Sequence, residues 1–290
     1  MIISLLVILQ VVVFFMLLDG LSEYYPWISV VLTIISVLII VFILDRDTSP
    51  IYKIPWIVII LTLPIFGIII YLLFRHDFLM ISHKNNLLNH FQKANKLIDT
   101  HKECKDNLFN HSFLAYGQSH YIETTSKLPP HQNTKTNYFA SGEAFFKAVE
   151  IDIKAAKSFI FIEFFIIKQG LLWTKILSLL KEKLQEGLEI RILYDDIGSM
   201  KYLPYKYDKR LRSFGFKAQT FNRFSPILSA VFNHRDHRKI IIIDGVISYT
   251  GGINIGDEYI NITQPYGHWK DSGIRLEGDA TKNLTFLFLQ

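Results

Sequence analysis

Residues 158–199 read SFIFIEFFIIKQGLLWTKILSLLKEKLQEGLEIRILYDDIGS. Ser158 to Ile167 is a β-rich run apolar at both odd and even positions, which a strand tolerates only when both faces are covered. Leu171 to Glu186 carries apolar residues at helical spacing and Gly187 stops it. Leu188 to Tyr194 is a second buried strand, ending in Asp195-Asp196-Ile197-Gly198-Ser199. Strand, helix and strand in tight succession predict an α/β domain with a largely parallel sheet.

Reading outward, Glu143 to Ala156 has helical spacing (Ala144, Phe145, Ala148, Val149, Ile151) and opens the domain. Short strands are predicted at Lys217–Thr220, Lys239–Ile243, Val246–Thr250 and Ser272–Glu277. Asp244-Gly245 between two of them is a two-residue hairpin signal. Phe159, Phe161, Phe164 and Phe165 read as core. Glu163, the one acid inside that strand, reads either as a buried carboxyl with a partner or as support for a site. Asp195 and Asp196, at a strand's carboxyl end, read as caps of the next turn.

The amino end is of another kind. Half of the 290 residues are hydrophobic, and the excess sits in three runs: Ile2–Leu18, Trp27–Leu44 and Ile54–Phe74. A bilayer-spanning helix needs about 20 apolar residues, so residues 1–74 are expected to form two or three transmembrane helices. Asp45 to Pro50 marks a turn, and Tyr24, Tyr25 and Trp27 suit a membrane interface. A cleaved signal peptide is disfavoured for the first run, which lacks a basic start and a small-residue cleavage site. Residues 75–137 are polar, with one helix expected near Asn86–Cys104 and Pro129-Pro130 as a stop, and read as a juxtamembrane linker. Residues 138–290 form the folded domain.

Of 31 basic and 26 acidic residues, 29 and 22 follow Phe74, an excess of +7 that draws the domain toward an anionic lipid surface. Basic residues beside the apolar runs (Arg46, Lys53, Arg75, Lys84) are too evenly split to orient them. The single cysteine, Cys104, rules out an internal disulfide and fits a reducing, cytoplasmic compartment. There is no glycine-rich phosphate loop, no paired Cys/His metal spacing and no heptad repeat, so neither metal nor cofactor is expected.

Chemistry concentrates in HRDHRKIIIIDG, residues 234–245. With a strand's period of two, Asn233, Arg235, His237 and Lys239 share one face while His234, Asp236 and Arg238 share the other. An amide, a guanidinium and an ammonium around one imidazole make a wall of donors suited to a phosphate. Asp244 lies an odd number of residues from His237, faces away from it, and reads as an anchor for the turn at Gly245.

The spacing His237-x-Lys239-x4-Asp244, followed by Thr250-Gly-Gly-Ile-Asn-Ile-Gly-Asp-Glu-Tyr259, resembles the signature of the phospholipase D superfamily. Leu193–Ser199, Asn233–Gly245, Gly251–Tyr259 and His268-Trp-Lys-Asp271, in that order behind an apolar amino end, are similar to the amino-terminal part of bacterial cardiolipin synthases. The resemblance implies a phospholipase D-like mixed sheet flanked by helices. It implies catalytic roles for His237 as nucleophile, Lys239 as clamp on phosphate oxygens, and Asp244 as the motif's acid. Asn254 adds a donor, Asn233 and Arg235 line the substrate wall, and Gly251 and Gly252 let backbone approach. For the acceptor that holds the imidazole's second nitrogen, Asp271 is the candidate and Glu258 the runner-up.

The family carries two such motifs and this sequence has one. Its apolar end, Leu284 to Gln290, reads as an interruption inside a helix. The expectation is a truncated front half whose second histidine comes from a homodimer mate or another half-domain. The expected activity is transfer of a phosphatidyl group from one phosphatidylglycerol to another, giving cardiolipin and glycerol at the cell membrane. The alternatives are a phospholipase D type hydrolase and an inactive membrane-bound fragment; nucleic acid is not expected as a partner.

Overall fold

The computed structural model describes residues 25–46, 49–74, 102–224 and 235–290. They fall into two compact units, one amino-terminal and apolar, the other holding the chain from residue 102 onward.

The apolar unit contains α1 (Tyr25–Asp45), α2 (Pro50–Thr62) and α3 (Pro64–Phe74). Ile43, Ile60 and Tyr71 form its small buried cluster, and Trp56 meets the edge of Tyr71 at 5.6 Å. The third apolar run is therefore not one helix. Leu63 leaves helical geometry (φ −134°, ψ 75°) and Pro64, which has no N–H to continue the ladder, starts α3. The two halves fold against each other so closely that a Cβ on Gly67 would stand 2.7 Å from the Ile60 backbone. Among the described residues no helix is long and apolar enough to cross a membrane; α1, at 21 residues, comes nearest. The first run, with Tyr24, lies outside the described residues, so the expected set of spans is not met by those that are described.

The second unit begins with α4 (Lys102–His111) and α5 (Phe113–Ser126), followed by β1 (Thr134–Phe139). The stretch read as a linker is thus partly built into the fold. Its last residues pair with the far end of the chain, Thr134 opposite Gly278 and Phe139 opposite Gly273. An exposed edge strand has little apolar alternation to announce it, and the polar Thr-Lys-Thr-Asn run hid this one. Residues 86–101 of the predicted helix lie outside the described residues, while Cys104 is buried and unpaired in α4.

Then come α6 (Gly142–Ala155), β2 (Phe159–Phe164), α7 (Leu171–Gln185), β3 (Glu189–Asp195), the single turn α8 (Asp196–Ser199), α9 (Tyr207–Ser213) and β4 (Lys217–Phe221). After residues 225–234, which are not described, follow β5 (Lys239–Ile243), β6 (Ile247–Gly251), a 3₁₀ turn (Asp257–Ile260), β7 (Gly273–Gly278) and α10 (Thr281–Leu289).

The sheet is seven-stranded, ordered β1-β7-β6-β5-β2-β3-β4. Only β2 with β3 and β3 with β4 run parallel; the other pairs are antiparallel, which corrects the expectation of a largely parallel sheet to a mixed one. The βαβ unit was legible, but the hairpin-built half outweighs it. Ser141 caps α6 by accepting from the Ala144 amide. That helix and α7 cover one face of the sheet, burying Phe146, Val149, Trp173 and Leu180 against Ile160, Ile162, Ile241 and Ile243. On the opposite face Leu284, Leu287 and Phe288 of α10 pack on Phe161, Ile240 and Ile242. Four consecutive isoleucines are explained by this: β5 is central and covered on both sides, and each side chain contributes roughly 2 kcal/mol by burial.

Candidate active site

The candidate residues cluster where β5 begins. Residues 235–238 enter without strand pairing, with Asp236 buried and His237 exposed, and Lys239, the first residue of β5, is buried. The ammonium of Lys239 is 5% exposed as a residue and reaches back 2.7 Å to the carbonyl of His237. Burial lowers its pKa, and the charges of Asp271 and Asp236 oppose that shift. The imidazole of His237 lies against Phe165, centroids 4.8 Å apart, and the same ring has the Lys239 ammonium 5.5 Å from its centre. Phe165 is thus no core residue. It sits one position past the end of β2, half-exposed, where it braces both basic side chains.

A set of side chains holds the entering segment. Asp195 is fully buried; one oxygen accepts from the Gly198 amide at 2.9 Å, capping α8 as expected, and the other accepts from the Asp236 amide at 3.1 Å. Arg235 pairs with Asp195 at 3.5 Å and donates to the Asn222 carbonyl at 3.1 Å. The Asp-Asp-Ile-Gly-Ser stretch also fixes Phe165: Ser199 donates to the Phe165 carbonyl and accepts from the Ile167 amide, and a Cβ on Gly198 would stand 2.3 Å from that carbonyl. Only the capping role of Asp195 was legible along the chain, because its second role depends on a segment 41 residues downstream arriving at the end of β3.

The glycine pair lies close against the neighbouring segment 271–273. A Cβ on Gly251 would come 2.5 Å from the Ser272 carbonyl, and one on Gly252 would come 2.2 Å from Asp271. Asp271 therefore packs into space that only glycine leaves, close enough to Lys239 to act on its charge. One of its oxygens accepts from the Ser272 amide at 2.8 Å. No ring nitrogen of His237 has a hydrogen-bond partner among the described residues, so neither Asp271 nor Glu258 orients the imidazole here. Glu258 instead pairs with Lys168 at 3.2 Å. Asn254 is buried, accepts from the Ile166 amide and donates to the Tyr259 hydroxyl, both at 3.0 Å, which leaves one N–H of its carboxamide. Asn233 lies outside the described residues.

Asp244 is at the other end of β5. Seven residues of extended chain put it on the order of 20 Å from His237. Both Asp244 (φ 53°) and Gly245 (φ 68°) adopt the left-handed conformation of a two-residue hairpin. The carboxylate accepts from three successive amides, Lys157 at 2.8 Å, Ser158 at 2.7 Å and Phe159 at 3.0 Å. It ties the hairpin to the start of β2.

Comparison with known proteins follows this geometry. Residues 149–264 match the family described as cardiolipin synthase, PLD-like domain, and residues 31–76 match the family described as phospholipase D-nuclease N-terminal. Residues 149–264 thus carry a PLD-like domain similar to that of cardiolipin synthases. The cardiolipin synthase of Oceanobacillus iheyensis is 39% identical over 158 residues, 54% of this chain and 33% of that one. An uncharacterised protein of Streptococcus mutans is 42% identical over 176 residues, 61% of this chain and 38% of that one. The chain thus spans about a third of the length of either relative. The solved structure of NucT from Helicobacter pylori overlays 55% of this chain and 94% of its own at 14% identity and a TM-score of 0.42, a likeness too loose to bear on function. The matched domain spans the entering segment, the glycine pair and Asn254, and stops short of Asp271.

Proposed function

We propose that this chain supplies the nucleophilic half of a cardiolipin synthase, transferring a phosphatidyl group between two phosphatidylglycerols through a phosphohistidine on His237. The observation that carries this reading is the pairing of an exposed imidazole with a buried ammonium bonded to that residue's own carbonyl. An exposed ring is free to reach phosphorus, and an ammonium held in place stabilises charge on the phosphate oxygens without reorganising during the reaction.

In this scheme the His237 ring attacks phosphorus, the glycerol oxygen leaves, and the primary hydroxyl of the second lipid later displaces the histidine. Lys239 holds the non-bridging oxygens and Asn254 offers its remaining N–H. Arg235 lines the approach, and Gly251 and Gly252 leave room for the Ser272 backbone and the Asp271 carboxylate. Asp271 keeps Lys239 charged. Asp244 acts on the fold rather than on substrate. A second imidazole protonates the departing oxygen. The exposed apolar side chains of Val30, Val31, Leu38, Phe42, Ile51 and Leu61 in α1 and α2 are poorly suited to water and tether the domain to lipid. A lipid-lined approach favours the lipid alcohol over water, which separates transferase from hydrolase.

The test is trapping. Acid-stable label is not expected on a phosphohistidine, so the chain is incubated with phosphatidylglycerol labelled at its phosphorus, which stays on the enzyme when glycerol leaves, quenched in base and digested. Label on the peptide containing His237, absent in His237→Ala, is the expected result; label that survives the substitution rules the assignment out. Product identity, cardiolipin against phosphatidic acid, separates transfer from hydrolysis.

A further inference from the structure

Behind the imidazole, on the sheet face covered by α10, three charged side chains form a unit for which phosphoryl transfer has no use. Glu163 is 0% exposed and Asp236 5% exposed. Arg238 bridges them: its Nε is 2.6 Å from Glu163 Oε1 and 3.0 Å from Asp236 Oδ1. The Nε–H is directed at Asp236, and a terminal nitrogen donates to the Leu287 carbonyl of α10 at 2.8 Å. Both Glu163 oxygens and Asp236 Oδ2 are buried with no hydrogen-bond partner among the described residues.

Charge counting makes this arrangement unstable as drawn. Two buried carboxylates facing one guanidinium leave a net negative charge out of water, with three oxygen atoms lacking donors. The remaining neighbours do not supply the missing cation. Lys239 lies on the opposite face of the strand and donates to the His237 carbonyl, while Asp195 brings a further carboxylate that Arg235 pairs. Arg191, two positions along the same face, rests over Phe161 and pairs with Glu189. α10 presents apolar Leu284, Leu287 and Phe288. One added proton removes the imbalance: an O–H on Glu163, pointed at the empty oxygen of Asp236, satisfies two orphan atoms and leaves the trio neutral.

We propose that Glu163 is a protonated positioning residue, sharing its proton with Asp236 so that the neutral trio, clasped by Arg238 to the end of α10, fixes the two residues flanking His237. Asp236 and Arg238 are the immediate neighbours of the nucleophile, and both are held on the face away from it. The imidazole's position is therefore set from behind, through the sheet. Burial first, then the Asp236 carboxyl, pushes the Glu163 pKa up to about 9, against the opposing pull of Arg238. The sign of the linkage follows. A carboxyl whose folded pKa is raised binds its proton preferentially in the folded state, so its contribution is fullest at low pH and declines as pH rises from the ordinary carboxylate range through about 9.

This inference rests on the proposed role of His237 for its catalytic consequence, but the proton can be tested alone. Infrared spectra of the purified full chain at neutral pH should show a protonated-carboxyl stretch that shifts in heavy water and is missing from Glu163→Gln. The melting temperature of the wild type should fall on alkaline titration, and Glu163→Gln should lack that slope. Glutamine reproduces the shape and charge of the neutral acid, so a Glu163→Gln chain that fails to fold counts against the proposal. So does a wild-type spectrum without the band. For positioning, labelling of His237 should drop at least tenfold in Glu163→Ala and recover in Glu163→Gln; equal loss in both overturns it. Should no variant, wild type included, take label from any phosphodiester while the infrared and melting results hold, the catalytic reading fails and the shared proton stands.

Discussion

At the opening of β5 a lysine is bonded to the carbonyl of an exposed histidine, and seven residues beyond that histidine an aspartate spends both carboxylate oxygens on backbone amides. Both ends belong to one short motif, so similarity alone gives them equal standing. Their surroundings separate them. At the first end His237 stands just before strand pairing begins, exposed and against Phe165, while Lys239 opens the paired strand. The second lies inside a hairpin whose backbone demands φ above zero and whose neighbours present three donors to one anion. One short motif in sequence thus has two unlike settings, and the proposed chemistry falls on only one of them.

The contrast can be broken experimentally. The largest effect is expected from His237→Ala, which should abolish labelling while shifting unfolding free energy by no more than about 0.5 kcal/mol, the usual range for an exposed side chain; chemical denaturation alongside trapping checks both. Lys239→Ala should slow labelling by about 10²–10³, the loss seen when one fixed donor to a developing oxyanion is removed. Asp244→Ala should do the reverse. It strands three amides and places a Cβ residue without a compensating side chain in left-handed geometry, so stability should fall by roughly 2–3 kcal/mol. Labelling per folded molecule should stay within twofold. Asp244→Asn, which tolerates the same backbone and keeps one acceptor, should lose about half as much. If Asp244→Ala instead ends labelling in a chain that melts normally, the division between the two ends is wrong. The smallest effect concerns pH. Because burial lowers the Lys239 pKa, labelling should weaken at lower pH than an exposed lysine would dictate, and Asp271→Asn should move that limb lower still, since the Asp271 charge opposes the shift.

Legibility followed the same division. The strands at 217, 239, 246 and 272 and the helices at 143 and 171 emerge within a residue or two of their predicted bounds, because alternating or helical burial leaves its period in the side chains. β1 did not emerge, because a polar edge strand is chosen by its partner. The split of the third apolar run at Leu63 is a related case: Pro64 was visible, but a proline at the start of a helix and one inside it look alike until the chain turns. Phe165 looked like its neighbours in composition, and only the end of β2 at Phe164 puts it beside His237 rather than in the core.

What the sequence determined by itself was the order of residue types along the chain: an apolar amino end, a βαβ unit, and a basic segment locked to a buried strand. Those are local properties, written in spacing and hydrophobic period. Only the tertiary structure decided which acids meet which bases. Asp195 joins the Asp236 amide from 41 residues away, and Glu163 and Arg238 meet across neighbouring strands. The reason is that a charge out of water is stable only beside a specific partner, and that partner is supplied by chain topology rather than by proximity along the backbone.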